Sequence, residues 1–197
     1  MSNPNPQPKV HFEATPNPQT LRFVCNRTIT DFPAEFKTVQ ETARSPLAKK
    51  LFGFPWTAGV YIGKDFISVS KQDWVDWETL SEPLAGLIEE HLERGEAVIL
   101  EPVKPAASSG AASGAASATA SDSDDVRMIK KILEEEIRPA VAQDGGDIVF
   151  HSFENGIVSI FMQGSCSGCP SSTVTLKLGI EERLKSLIPS VKEVISI

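Results

Sequence analysis

The chain has 197 residues, 41% of them apolar, which allows one large domain or two small ones with a buried core. A net charge of −7, spread over both halves, argues against nucleic acid or an anionic membrane as partner. No apolar run reaches the length of a membrane span, and three cysteines do not make a secreted disulfide framework, so a reducing compartment is expected.

Met1–Val10 is rich in Pro and Asn. It has no apolar stretch and no Arg-rich amphipathic character, so no signal or transit peptide is read there. An N-terminal domain is expected over 8–101. Lys9–Glu13 is a short strand candidate, and Thr15-Pro-Asn-Pro18 a turn, since its prolines do not suit a central strand. Thr20–Cys25 reads as a second strand. Ser45-Pro46 starts a short helix, with Ser45 as N-cap and Pro46 at the first helical position. Val60–Ile62 and Phe66–Ser70 flank Gly63-Lys-Asp65 as a hairpin. Asp76–Arg94 is an amphipathic helix with Leu80, Leu84, Leu87, Ile88 and Leu92 on one face, and Gly95 past its end. A sheet with helices on one face fits this order.

Residues 102–123, PVKPAASSGAASGAASATASDS, form a low-complexity tract without large apolar side chains. Such a tract cannot repay its ordering entropy and reads as a disordered linker spanning roughly 25 Å. A smaller domain is expected over 124–197. Its first helix runs from about Asp124 to Val141, with Val126, Ile129, Leu133 and Ile137 inward and Glu134–Glu136 outward. Asp144-Gly-Gly-Asp147 is a turn. Ile148–Phe153 and Ile157–Met162 are strands joined at Glu154-Asn-Gly156. The second helix covers about Ser171–Leu187, with Leu176, Ile180, Leu184 and Leu187 on one face, and Val191–Ile197 is a final strand. The fold class is therefore α+β: two small domains on a flexible Ala/Ser/Gly linker, the second of order α-β-β-α-β.

Cys166 and Cys169 stand in Gly164-Ser-Cys-Ser-Gly-Cys-Pro170, just before the second helix. Unpaired N–H groups and the positive end of the helix dipole are expected to lower their pKa. Gly164 and Gly168 would let backbone approach a bulky group, and Pro170 suits a first helical turn. Several chemistries use Cys-x-x-Cys. A thioredoxin-like site would follow a first βα unit, which the element order does not supply. Structural zinc needs four ligands, and His151 is the one further candidate nearby. A cluster shared by two subunits meets a four-thiolate requirement with two cysteines each. Two buried structural cysteines fit poorly with so polar a loop. No residue pattern supplies a general base or substrate pocket, so an enzyme is not expected. A thiol–disulfide oxidoreductase using the same pair is the alternative.

The residues Ile137-Arg-Pro-Ala140, Asp144-Gly-Gly-Asp147, the Gly164–Ser172 cysteine loop and a helix ending Ile188-Pro189 resemble the NifU C-terminal (Nfu) domain. Upstream, Thr15-Pro-Asn-Pro18, Leu21-Arg-Phe23, Ser45-Pro-Leu-Ala48, Leu51-Phe52, Gly59-Val60, Gly63-Lys-Asp-Phe66-Ile67 and Trp77 resemble the Nfu N-terminal domain. The resemblance implies an iron–sulfur cluster scaffold or carrier. Such a protein binds a labile [4Fe–4S] cluster at a cluster-dependent homodimer interface. It works downstream of the cluster-assembly machinery and delivers to apo iron–sulfur client proteins. It implies Cys166 and Cys169 as the ligands. The long linker departs from some relatives and suggests interdomain freedom. The lack of a presequence points to a bacterial-type cytoplasmic protein.

Cys25 reads as a buried, inert cysteine. His11, His91 and His151 read as surface or hydrogen-bonded histidines. Trp56, Trp74 and Trp77 could serve core packing or a partner patch equally well.

Overall fold

The computed structural model describes residues 7–100, 124–167 and 170–197, apart from the side chains of 170–173. The expected linker lies outside the described residues. Two compact units divide the chain, Met1–Val103 and Lys104–Ile197, and both are α+β.

The first unit is a five-stranded antiparallel sheet of order β1-β2-β5-β4-β3. Its strands are β1 (Val10–Ala14), β2 (Thr20–Cys25), β3 (Ala34–Phe36), β4 (Thr57–Ile62) and β5 (Phe66–Lys71). Alternation decides which face is buried. Leu21 pairs with Val69 and Phe23 with Ile67, and both pairs lie in one core with Val60 and Ile62. Helices α1 (Pro46–Leu51) and α2 (Trp77–Glu93) close over that face through Leu47, Leu51, Leu84, Ile88 and Leu92. The other face carries Arg22, whose guanidinium lies 4.9 Å from the Phe66 ring centroid. Ser45 caps α1 as expected: its Oγ accepts from Ala48 N at 3.0 Å and donates to Val98 O at 2.6 Å. The Thr15–Pro18 turn is held by the Thr15 hydroxyl, whose single proton is shared between Asn17 O and Thr20 O, each 2.9 Å away. Two elements are additional to those expected, strand β3 and a 3₁₀ segment, Val39–Arg44.

His91 lies on α2 with its side chain fully buried. Its Nε2 is 3.2 Å from Ala97 O, and its Nδ1 is 3.3 Å from Glu96 Oε2. Burial holds its pKa below the ordinary 6.5, against the opposing effect of the Ala97 carbonyl. The unfolded chain therefore takes up this proton more readily than the folded one. Stability from this group is complete above pH 6.5 and is lost as the pH falls from there through the lower folded-state value. Trp56, Trp74 and Trp77 all lie in this unit. Urea midpoints followed by their fluorescence should therefore fall between pH 7 and about pH 5, and a flat profile would contradict this.

The second unit is a three-stranded sheet, β6-β7-β8, with β6 (Gly146–Glu154) antiparallel to β7 (Ile157–Gly164) and β8 (Glu193–Ser196) parallel to it. Asn155 and Gly156 both take positive φ, as the two-residue hairpin demands. The first helical stretch is α3 (Asp124–Ile132), a π-helical segment, Leu133–Ile137, and α4 (Arg138–Gln143). Pro139 explains the π segment. Its ring would strike the carbonyl four residues back in a regular helix, and the ladder widens so that Arg138 N–H reaches Leu133 O. Helix α5 covers Pro170–Leu187. Ile180 and Leu184 of α5 enter the core as expected, but Leu187 stays 41% exposed. Ile188, one residue further, is buried in its place, because it completes the i+4 step from Leu184. Glu181 ties β8 to α5 by accepting from Val194 N at 3.0 Å.

Candidate metal-cluster site

The cysteine loop leaves β7 at Gly164, where φ is +68°, and turns through a 3₁₀ segment, Ser165–Ser167, toward α5. Hydrogen bonds from Ser165 hold it against the α4–β6 connection, and one from Ser167 closes the turn itself. Ser165 N donates to Gly145 O at 3.1 Å, and Ser165 Oγ donates to Asp144 O. Ser167 Oγ donates to Gly164 O at 2.9 Å. Cys166 sits between these two serines and turns inward, only 5% exposed, in the core with Ile148, Ile160 and Met162. Cys169 lies outside the described residues.

Gly146, the first residue of β6, leaves room for the Cys166 thiol. A Cβ there would clash with Cys166 Sγ and come within 3.2 Å of Cys166 Cβ and 3.0 Å of Gln163 O. The ladder across this point is fixed, with Gly146 opposite Gly164 and Asp147 opposite Gln163. Asp147 is buried and anchors the strand. Arg138 grips it bidentately, Nε to Oδ1 at 2.7 Å and one terminal nitrogen to Oδ2 at 2.8 Å, and Ile148 N donates to Oδ1 at 2.8 Å. The bend therefore lies at Asp144-Gly145, and Asp147 belongs to the strand rather than to the expected turn.

The expected lowering of the Cys166 pKa is corrected by this packing. Burial pushes the thiol up, the neighbouring Ser165 hydroxyl offsets part of that, and the Asp144 and Asp147 carboxylates add to the rise. The loop's flanks are polar, as the sequence says, but the thiol itself points into the core. Among the described residues, no three His, Cys, Asp or Glu side chains gather as a metal site. His151 is exposed on β6 and lies against the Phe161 ring at 4.9 Å.

The remaining cysteine and the tryptophans settle separately. Cys25 is buried in the first core, and burial pushes its pKa to about 12. Trp56 is buried and stacked on Phe54 at 5.2 Å. Trp77 Nε1 donates to Pro18 O at 3.1 Å, and Trp74 alone is widely exposed. Sequence reasoning did not single out Gly146 as a neighbour of the thiol. It recorded Arg138 and Asp147 only within a motif; their pairing over nine residues, a cation on a helix and an acid at the next strand's start, is the signal that points to them.

Residues 10–95 match the N-terminal domain described as "Scaffold protein Nfu/NifU N terminal", and residues 129–195 match the NifU-like domain. NFU1 iron-sulfur cluster scaffold homolog, mitochondrial, from Homo sapiens is 36% identical over 187 residues, which cover 94% of this chain and 70% of the human protein. The chain belongs to the Nfu/NifU family. NifU-like protein 4, mitochondrial, from Arabidopsis thaliana is 39% identical over 188 residues, 94% of this chain. This Nfu/NifU chain spans 64% of the length of that plant relative and 66% of a second, NifU-like protein 5, mitochondrial. No described helix is long and apolar enough to cross a membrane.

Proposed function

We propose that this chain is an iron–sulfur cluster scaffold or carrier, not an enzyme. Its cargo is a [4Fe–4S] cluster held between two copies through Cys166 and Cys169 of each, and passed to apo-proteins. The observation that carries this reading is the seat of Cys166, a thiol packed on the bare backbone of Gly146 in a loop pinned by Ser165 and Ser167 and leading into α5. The human relative's name, a cluster scaffold homolog, supports the same reading.

The chemistry fits cargo better than turnover. A disulfide exchanger needs a thiolate nucleophile, and burial keeps the Cys166 thiol protonated. Of the acids beside it, Asp147 is already engaged by Arg138. Iron, by contrast, displaces a thiol proton on binding. Four thiolates complete a cubane cluster, so each copy supplies half. Separating the copies removes half the ligands at once, which makes such a site able to release what it holds. The mitochondrial names belong to the relatives.

Anaerobically loaded protein should activate an apo-[4Fe–4S] dehydratase in the presence of an iron chelator, faster than free iron and sulfide do. Activation no faster than the free-iron control would end the carrier reading.

A further inference from the structure

We infer that the outward face of α5, at Val174 and Leu178, is where the second copy sits, with the two α5 helices side by side and pointing the same way. The inference rests on the shared-cluster reading above and names the surface that such sharing needs.

The inner face of α5 is accounted for by Ile180 and Leu184 in the core. The outer face is not. Val174 is 57% exposed and Leu178 58%, the two most exposed large apolar side chains among the described residues of this unit. They lie one turn apart on the same side of the helix. Gly179 keeps the surface beside Leu178 flat, because a Cβ there would meet nothing within 4 Å. Both residues belong to the first half of α5, the half next to the cysteine loop.

The ligand count names the occupant. Two thiols per chain against four for a cluster require a second loop to come to this one, and that loop brings the head of its own α5. The helix has 18 residues and is about 27 Å long at 1.5 Å per residue. Two such helices overlapped in opposite directions would part the loops by most of that length. A two-fold axis running alongside α5 instead brings the loops together and sets Val174 and Leu178 against the same residues of the second copy. One turn beyond Leu178 the stripe becomes acidic at exposed Glu182. Like charges would face each other there, so the contact ends after two turns and the helices diverge. Two aliphatic side chains per copy bury far less than the roughly 800 Å² per partner of a lasting interface. The face therefore holds the copies together only while the cluster ties the loops, and lets them part afterwards.

The test uses the full chain with Leu178→Glu and Val174→Glu, and Met128→Glu as control, since Met128 is 51% exposed on α3 of the same unit. Circular dichroism checks that each folds. After anaerobic loading, mass by light scattering, iron per chain and the rate of cluster loss to a chelator are measured. Both α5 variants should lose the loaded dimer and release iron at least tenfold faster, while Met128→Glu behaves as the unaltered chain. If both α5 variants match Met128→Glu while Cys169→Ala loses its cluster, the ligand assignment stands and this face is wrong. If Cys169→Ala keeps its cluster, the shared-cluster reading and this inference fail together.

Discussion

Cys166→Ala and Cys169→Ala should each fail to load a cluster, with visible absorption and iron content falling to background, whereas Cys25→Ala should load normally. In the proposed shared site each loss is doubled: one substitution would remove two of four thiolates from the assembly. The structural cost is small, since trimming the Cys166 side chain to a methyl group gives up about 1 kcal/mol of burial. Cys25 is excluded on physical grounds. It is 4% exposed on the core face of β2, in the first unit, and no second cysteine stands at chelate spacing from it. Iron and sulfide analysis after anaerobic reconstitution checks all three variants side by side. Normal cluster content in Cys169→Ala would show that other ligands hold the metal.

Gly146→Ala should cost both stability and cluster, without touching a ligand. The new methyl group would clash with Cys166 Sγ and press on Gln163 O at 3.0 Å. The carbonyl cannot retreat without breaking the β6–β7 ladder, and Asp147 next door is clamped by Arg138. The thiol and its loop must yield instead. Overpacking of this kind costs about 1–3 kcal/mol. For a unit of this size that lowers Tm by about 5–15 °C. Cluster loading should fall with it, because the displaced thiol no longer meets its partners' geometry. Adding Cys166→Ala to Gly146→Ala should recover part of the lost Tm, since the sulfur in the way is then gone. Calorimetry of the four members of that cycle checks the claim, and strictly additive losses would refute direct contact between the two positions.

Much of this fold is legible because its signals are local. Thr20–Cys25 puts Leu21, Phe23 and Cys25 on one face, Asp76–Arg94 keeps a helical apolar face, and Asn155-Gly156 fits one kind of hairpin turn. Strand β3 is not legible in this way: three residues, Ala34–Phe36, carry no periodicity, and their strand state comes from pairing with β4. The π segment follows from Pro139, whose effect on a helix can be to end, kink or widen it, and only the packed helix decides. The cysteine loop divides along the same line. Spacing and flanking residues mark Cys166 as a candidate, and the helix after it is plain. The direction of its pKa is set first by burial in the packed core and then by the Asp144 and Asp147 carboxylates that the fold brings beside it, and no local rule reports that. Loop polarity suggested a thiol near water, while the hydrogen bonds of Ser165 and Ser167 satisfy the polar groups and leave the sulfur facing inward.

Native mass spectrometry of the anaerobically loaded full-length chain, with Mössbauer spectra of the same sample, addresses the shared cluster directly. Two chains carrying four irons and four sulfides, with the spectrum of a cubane cluster and apo chains running as monomers, is the expected result. A single chain carrying all four irons would mean that Cys166 and Cys169 are not half of a site split between two copies.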